Sequence, residues 1–189
     1  MLLSTAYFPP VEYFTVLAKY SVCIDPTENY TKQTYRNRCR ILTAGGPEDL
    51  RVPIVHDGRR LITEIRVDYA EDWLRRTKYA IDTAYYSSPF FEYYRDELFA
   101  LMGRRPETLW ELNSSLTDFF CRKIGIAPVW CSRAEAGEDL RTLIHPKKAP
   151  LLPTREYWQV FREKYGFVGN LSVMDLLFNE GPESICILK

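Results

Sequence analysis

The run Leu2-Leu3-Ser4-Thr5-Ala6, then Pro9-Pro10, then Val11 to Tyr20 and Val22-Cys23-Ile24, decides the fold class. Leu2 to Ala6 reads as a short buried strand, and Pro9-Pro10 stops it because proline brings no N–H to a ladder. Val11 to Tyr20 then places Phe14, Leu17 and Ala18 on one helical face. Val22 to Ile24 is a second apolar strand. A crossover this short, made by a helix, puts both strands side by side in one sheet. The expectation is an α/β fold: a single domain over residues 1–189 with a mixed sheet, an N-terminal strand-helix-strand unit and a helical middle.

Outward from that unit, residues 35–43 and 50–55 read as strands joined by the loop signal Gly45-Gly46-Pro47. His56-Asp57-Gly58 supplies a tight turn. Leu61 to Val67 alternates Leu61, Thr63, Ile65 and Val67 against Ile62, Glu64 and Arg66, the pattern of a half-buried strand. Three apolar stripes at helical spacing follow. Trp73, Thr77, Ala80, Ile81, Ala84 and Tyr85 form the first, and Ser87-Ser88-Pro89 interrupts it. Phe91, Tyr94, Leu98, Leu101 and Met102 form the second, ended by Gly103. Leu109, Leu112, Leu116, Phe119 and Phe120 form the third, with Pro106 in its first turn and Gly125 closing it. Ala127 to Cys131 and Leu140 to Ile144 read as short strands, and Thr154 as the cap of a helix carrying Trp158, Phe161 and Tyr165. Ser172 caps a last helix, Val173 to Asn179, with Asp175 at the capping-box position.

Twenty-five Lys+Arg against 25 Asp+Glu leave no net charge, which argues against a nucleic-acid partner. Met1 to Pro10 holds neither a basic n-region nor a long apolar run, so a cytoplasmic protein without a transmembrane segment is expected. Five cysteines without a CxxC pair, and two histidines, offer no zinc-ligand spacing. Reduced, mostly buried thiols and no metal are expected, while any cofactor and the oligomeric state stay open.

Against that neutral background Lys32, Arg36, Arg38 and Arg40 concentrate positive charge. In an extended chain the period of two sets Arg36, Arg38 and Arg40 on one face. Guanidinium forks there suit the pyrophosphate of a nucleotide sugar or an activated acyl phosphate. A solvated strand face is the other reading. Glu28, beside these cations, is expected to keep a low pKa and is the available base, or else an ion-pair partner of Lys32. Asn29, Gln33 and Asn37 suit sugar hydroxyls or turn backbone. Tyr7, Tyr13, Tyr30 and Tyr35 suit the wall of a cleft near the first strand's carboxyl end, or the core.

Several stretches occur together in order: Tyr7-Phe8-Pro9-Pro10-Val11-Glu12-Tyr13-Phe14, Glu28-Asn29-Tyr30-Thr31-Lys32-Gln33-Thr34-Tyr35-Arg36-Asn37-Arg38, Pro89-Phe90-Phe91, and Asn170 to Pro182. This series resembles the WbqC-like protein family of bacteria. The resemblance implies a transferase of O-antigen-like surface-polysaccharide synthesis, moving a small acyl or aminoacyl group, such as glycyl, onto an amino sugar. It equally admits a non-catalytic sugar- or nucleotide-sugar-binding protein of the same pathway. On the first reading Glu28 is catalytic. Tyr7, Tyr13, Asn29, Lys32, Arg36, Asn37 and Arg38 bind an anionic small-molecule or sugar substrate. Thr5-Ala6 and Thr77 stand where many members carry a polar pair and a histidine.

Overall fold

The computed structural model describes residues 1–127, 130 and 137–189. Strand β1 (Leu2–Leu3) runs parallel to β2 (Cys23–Ile24), with Leu2 opposite Cys23 and Leu3 opposite Ile24. Helix α1 (Val11–Lys19) makes the crossover between them. Single parallel bridges extend the pair on both sides, Asp139 beside Leu2 and Trp130 beside Ile24. β1 is shorter than its apolar run because the next backbone groups are engaged elsewhere. The Ser4 carbonyl accepts from the Tyr13 hydroxyl (2.8 Å), the Thr5 N–H reaches Glu28 (3.1 Å), and the Tyr7 N–H reaches the Tyr35 carbonyl (2.8 Å).

The second ribbon pairs β3 (Arg38–Thr43) with β4 (Gly46–Arg51) antiparallel. Strand pairing is therefore mixed in sense, with the parallel and antiparallel pairs in separate small sheets. Gly46 takes φ 108° and, with Pro47, opens β4 rather than lying in the loop. Residues 52–55 leave the ladder, Val52 donating to the Asn37 carbonyl and Val55 to that of Arg66. The strand expected over Leu61 to Val67 is instead a 3₁₀ turn, Ile62–Glu64, flanked by isolated bridges at Leu61, Arg66 and Val67. Ile62 is buried within the turn and Ile65 and Val67 after it, spacings of three and then two that no single strand face provides.

The three central helices form as the stripes demand: α2 (Trp73–Tyr85), α3 (Phe91–Gly103) and α4 (Leu109–Ile124). α4 begins beyond Pro106. Its cap is a reciprocal box in which Thr108 Oγ1 accepts from the Glu111 N–H (3.2 Å) and Glu111 Oε2 from the Thr108 N–H (3.1 Å). Thr108→Ala should therefore lower stability by about 1 kcal/mol in urea denaturation, the usual worth of such a cap. Gly125, at φ 84°, closes α4 in the left-handed region.

The C-terminal part departs more from expectation. Leu140 to Ile144 is a turn, closed by Leu143 and Ile144 N–H groups on the Leu140 carbonyl, rather than a strand. The strand expected over Ala127 to Cys131 falls largely outside the described residues. Of the helix expected from Thr154 through Tyr165, only α5 (Arg162–Tyr165) forms. Side chains before it are engaged at long range, Thr154 accepting from the Asn170 N–H and Tyr157 donating to Asp175. α6 (Val173–Glu180) is capped by Ser172, whose Oγ accepts from the Met174 N–H (3.3 Å), while Asp175 turns inward instead of closing a box. α7 (Ser184–Leu188) ends the chain against α1.

The apolar residues of both ribbons and of α1, α2, α3, α4 and α6 share one core. Among the described residues no helix is long and apolar enough to cross a membrane, and no His/Cys/Asp/Glu group is arranged to hold a metal ion. Cys39 and Cys121 are buried and free and Cys186 is exposed and free, but Cys23 is disulfide-bonded, against the expectation of reduced thiols throughout.

Candidate functional site

Where the chain leaves the carboxyl ends of β1 and β2 it gathers polar side chains, the place where open parallel sheets expose ligand-facing groups. Glu28 is buried there. Its Oε1 accepts from the Thr5 N–H, and its Oε2 is ion-paired with the Arg36 guanidinium, itself only 4% exposed. Arg36 also donates to Thr34 Oγ1 (3.2 Å), and its carbonyl accepts from Asn113 Nδ2 (2.8 Å). Burial raises the Glu28 pKa, outweighing the lowering effect of Arg36, so the low pKa expected of it does not arise. Beside this pair Asp25 accepts from Thr27 and from Arg141 (2.6 Å), which also forks onto Asp139. Thr5 Oγ1, Arg36 Nε and Asn113 Oδ1 are buried without a partner.

The three guanidinium groups expected on one face part company. β3 begins only at Arg38, so the period of two does not reach Arg36, which turns inward. Arg40 is exposed and ion-paired with Asp49 (2.8 Å). Arg38, between these extremes, has no carboxylate partner among the described residues. In the hairpin register it stands directly opposite Arg51, which has none either. Like charges facing each other across an antiparallel pair repel.

Both arginines line a hollow of about 420 Å³ with Tyr30, Lys32, Asn37 and His56. Asn37 Nδ2 donates to the Val52 carbonyl (3.1 Å), while its Oδ1 and Arg38 Nε are buried and unpartnered. A second hollow, about 500 Å³, shares Tyr30, Lys32, Ile54 and His56 with the first and adds Arg59 and Arg60. Positive charge extends along the rim, where Lys147 Nζ donates to Gln33 Oε1. His145 has its pKa lowered, first by desolvation and then by Lys148, Lys147, Arg36 and Arg38.

Of the residues singled out in the sequence, Lys32, Asn37 and Arg38 thus meet at one concave surface. Asn29 is exposed beside it, bridged through its backbone to Leu61. Glu28 and Arg36 lie inside, paired with each other rather than with Lys32. Tyr7 and Tyr13 are core rings rather than cleft walls, fully buried, with burial pushing both hydroxyls well above the ordinary tyrosine range. The closing motif packs elsewhere: Ser172 N–H donates to the Arg40 carbonyl (2.8 Å), Asn170 bonds Glu12 (2.8 Å), and none of residues 170–179 lines either hollow. Arg51, His56 and Arg60 were not singled out as ligand-binding residues in the sequence. The signal for Arg51 was the hairpin register, since a turn at Ala44-Gly45 with Thr43 opposite Gly46 brings Arg38 and Arg51 face to face.

A model of the WbqC-like protein family matches residues 5–145. A Mycobacterium tuberculosis protein described as "Uncharacterized protein Rv1507c" is 27% identical over 213 aligned positions, which cover 94% of this chain and 92% of that one. No solved structure matches.

Proposed function

Since the chain belongs to the WbqC-like protein family, we propose that it binds the anionic group of an amino-sugar substrate between Arg38 and Arg51. There it serves surface-polysaccharide synthesis in the cytoplasm, as a transferase of a small acyl or aminoacyl group. The observation that carries this reading is the facing, unneutralised Arg38–Arg51 pair over a hollow that also holds Lys32 and Asn37. A bound phosphate would turn that repulsion into attraction, because each guanidinium can fork onto two of its oxygens. Asn37 Oδ1, otherwise unpartnered, would accept from a sugar hydroxyl or amine.

In the transfer the sugar amine attacks the donor carbonyl, the bond to the leaving group breaks, and the amine proton departs to a base. His56, lining both hollows, stands where it can take that proton. Glu28 is a positioning residue, holding Thr5 and Arg36 from inside. One observation favours the non-catalytic reading: Glu28, the carboxylate expected to act as base, is sealed against Arg36 and lines neither hollow.

Arg38→Ala should weaken binding of glucosamine phosphate, measured by titration calorimetry, by about tenfold (~1.4 kcal/mol) with an unchanged melting temperature. An unchanged affinity overturns the site. Single-turnover assays with activated acyl donors separate the two readings, since a carrier gives saturable binding with no acylated sugar.

A further inference from the structure

We infer that the two adjoining hollows form one site for a diphosphate diester, an anhydride-linked pair of phosphates bearing an organic group at each end. This rests on the reading that Arg38 and Arg51 hold an anion. The hollows share a wall of Tyr30, Lys32, Ile54 and His56, so they are lobes of one surface. Cations stand on both sides of that seam. Arg38 and Arg51 lie in one lobe, Arg59 and Arg60 in the other, and Lys32 belongs to both.

The acid supply does not match this charge. Asp57 is the one carboxylate lining either lobe as described, and it is engaged by Arg66 (2.9 Å) and Arg59 (3.4 Å). Arg60 and Lys32 have no carboxylate partner among the described residues. A single phosphate satisfies the Arg38–Arg51 lobe alone and leaves Arg60 without a counter-charge. Two linked phosphates crossing the seam at Lys32 neutralise both sides.

Size points the same way. At about 420 and 500 Å³, each lobe falls in the range that takes an organic ligand by itself. A sugar monophosphate occupies one lobe, whereas a diphosphate with a substituent at either end fills two. The seam is held in place by the backbone. Tyr30 N–H donates to the Arg60 carbonyl (2.7 Å), and Asn29 bridges Leu61. The spacing between lobes is thus set before a ligand arrives, which lowers the ordering cost of binding. Tyr30 and His56 present aromatic rings at the junction, suited to stacking on a base or a sugar face.

Titration calorimetry with glucosamine phosphate and with a uridine diphosphate hexosamine tests this on the intact chain and on Arg60→Ala and Arg38→Ala. The intact chain should bind the diphosphate at least about tenfold tighter than the monoester (~1.4 kcal/mol). Arg60→Ala should erase that preference while leaving monoester affinity unchanged, and Arg38→Ala should weaken both. Equal affinities in the intact chain, or a preference that survives Arg60→Ala, overturn the two-lobed site while leaving the single-anion reading standing. Failure of both probes to bind, or an Arg38→Ala variant with unchanged monoester affinity, removes the underlying reading and this inference with it. Oligonucleotide binding that tightens with length also overturns the inference. Arg60 is exposed and contributes its carbonyl rather than its side chain to the seam, so its alanine variant keeps the fold.

Discussion

Replacing Arg36 with alanine is expected to lower folding stability by about 3–5 kcal/mol, the range seen when one partner of a buried ion pair is removed. Glu28 and Arg36 are only 5% and 4% exposed, so the carboxylate left behind has no water to turn to. It would keep the Thr5 N–H as a donor but lose its counter-charge, and Thr34 Oγ1 would lose its guanidinium partner. The net worth of the intact pair is a different quantity, because desolvating two charges offsets most of their attraction. Glu28→Gln/Arg36→Met should therefore recover most of the loss, since glutamine still accepts from Thr5 and methionine fills the volume. Urea denaturation of the two single variants and the double variant measures the coupling directly. A loss below 1 kcal/mol in Arg36→Ala would show that water reaches the pair. Glucosamine phosphate affinity of the double variant should match that of the unaltered chain, which separates Arg36 from the ligand-holding role its spacing suggests.

Arg36 also shows where reading the sequence stops. The stripes of α2, α3 and α4 were legible because i, i+3 and i+4 neighbours meet within one element, so local spacing and burial are the same information. The strand-helix-strand opening was legible for a similar reason, since a short crossover limits where the second strand can lie. Leu61 to Val67 misled because Ile65 and Val67 keep the strand period while Ile62, three before Ile65, does not. The 3₁₀ turn at Ile62–Glu64 lets all three be buried. The candidate site was half legible. Charge density marked residues 32–40 as unusual, but which arginine faces out depends on where β3 begins. That in turn depends on hydrogen bonds to Val52 and on the hairpin register. Arg51 acquires meaning only through its partner across the ribbon. The Thr154 segment failed for the same long-range reason: Tyr157 and Gln159 are drawn to Asp175, a residue no local window includes.

Asp175 is the second large effect. It is 2% exposed, and one oxygen accepts both from the Tyr157 hydroxyl (2.7 Å) and from Gln159 Nε2 (2.8 Å). Neither donor carries a full charge, so desolvation dominates and pushes its pKa from 3.8 up to about 6. A raised carboxyl pKa means that the folded chain holds this proton more tightly than the unfolded chain does. Stability from this group is therefore fully present below about pH 4 and is lost as pH rises through 6. At ~1.4 kcal/mol per unit the swing is about 3 kcal/mol. Asp175→Asn keeps a carbonyl oxygen for Tyr157 and Gln159 but cannot ionise. Its amide would also lie beside the buried Tyr85 hydroxyl, whose oxygen can accept from the new N–H. The stability difference between variant and unaltered chain should accordingly move by about 2.4 kcal/mol in the variant's favour between pH 4 and pH 7. Glu12 and Glu28, also raised by burial, contribute with the same sign, and exposed Asp57, Asp72 and Asp139, lowered by arginine partners, with the opposite sign. All of these are common to both proteins and cancel in the difference. A difference that stays flat across that range would mean that Asp175 is already ionised without cost in the folded chain.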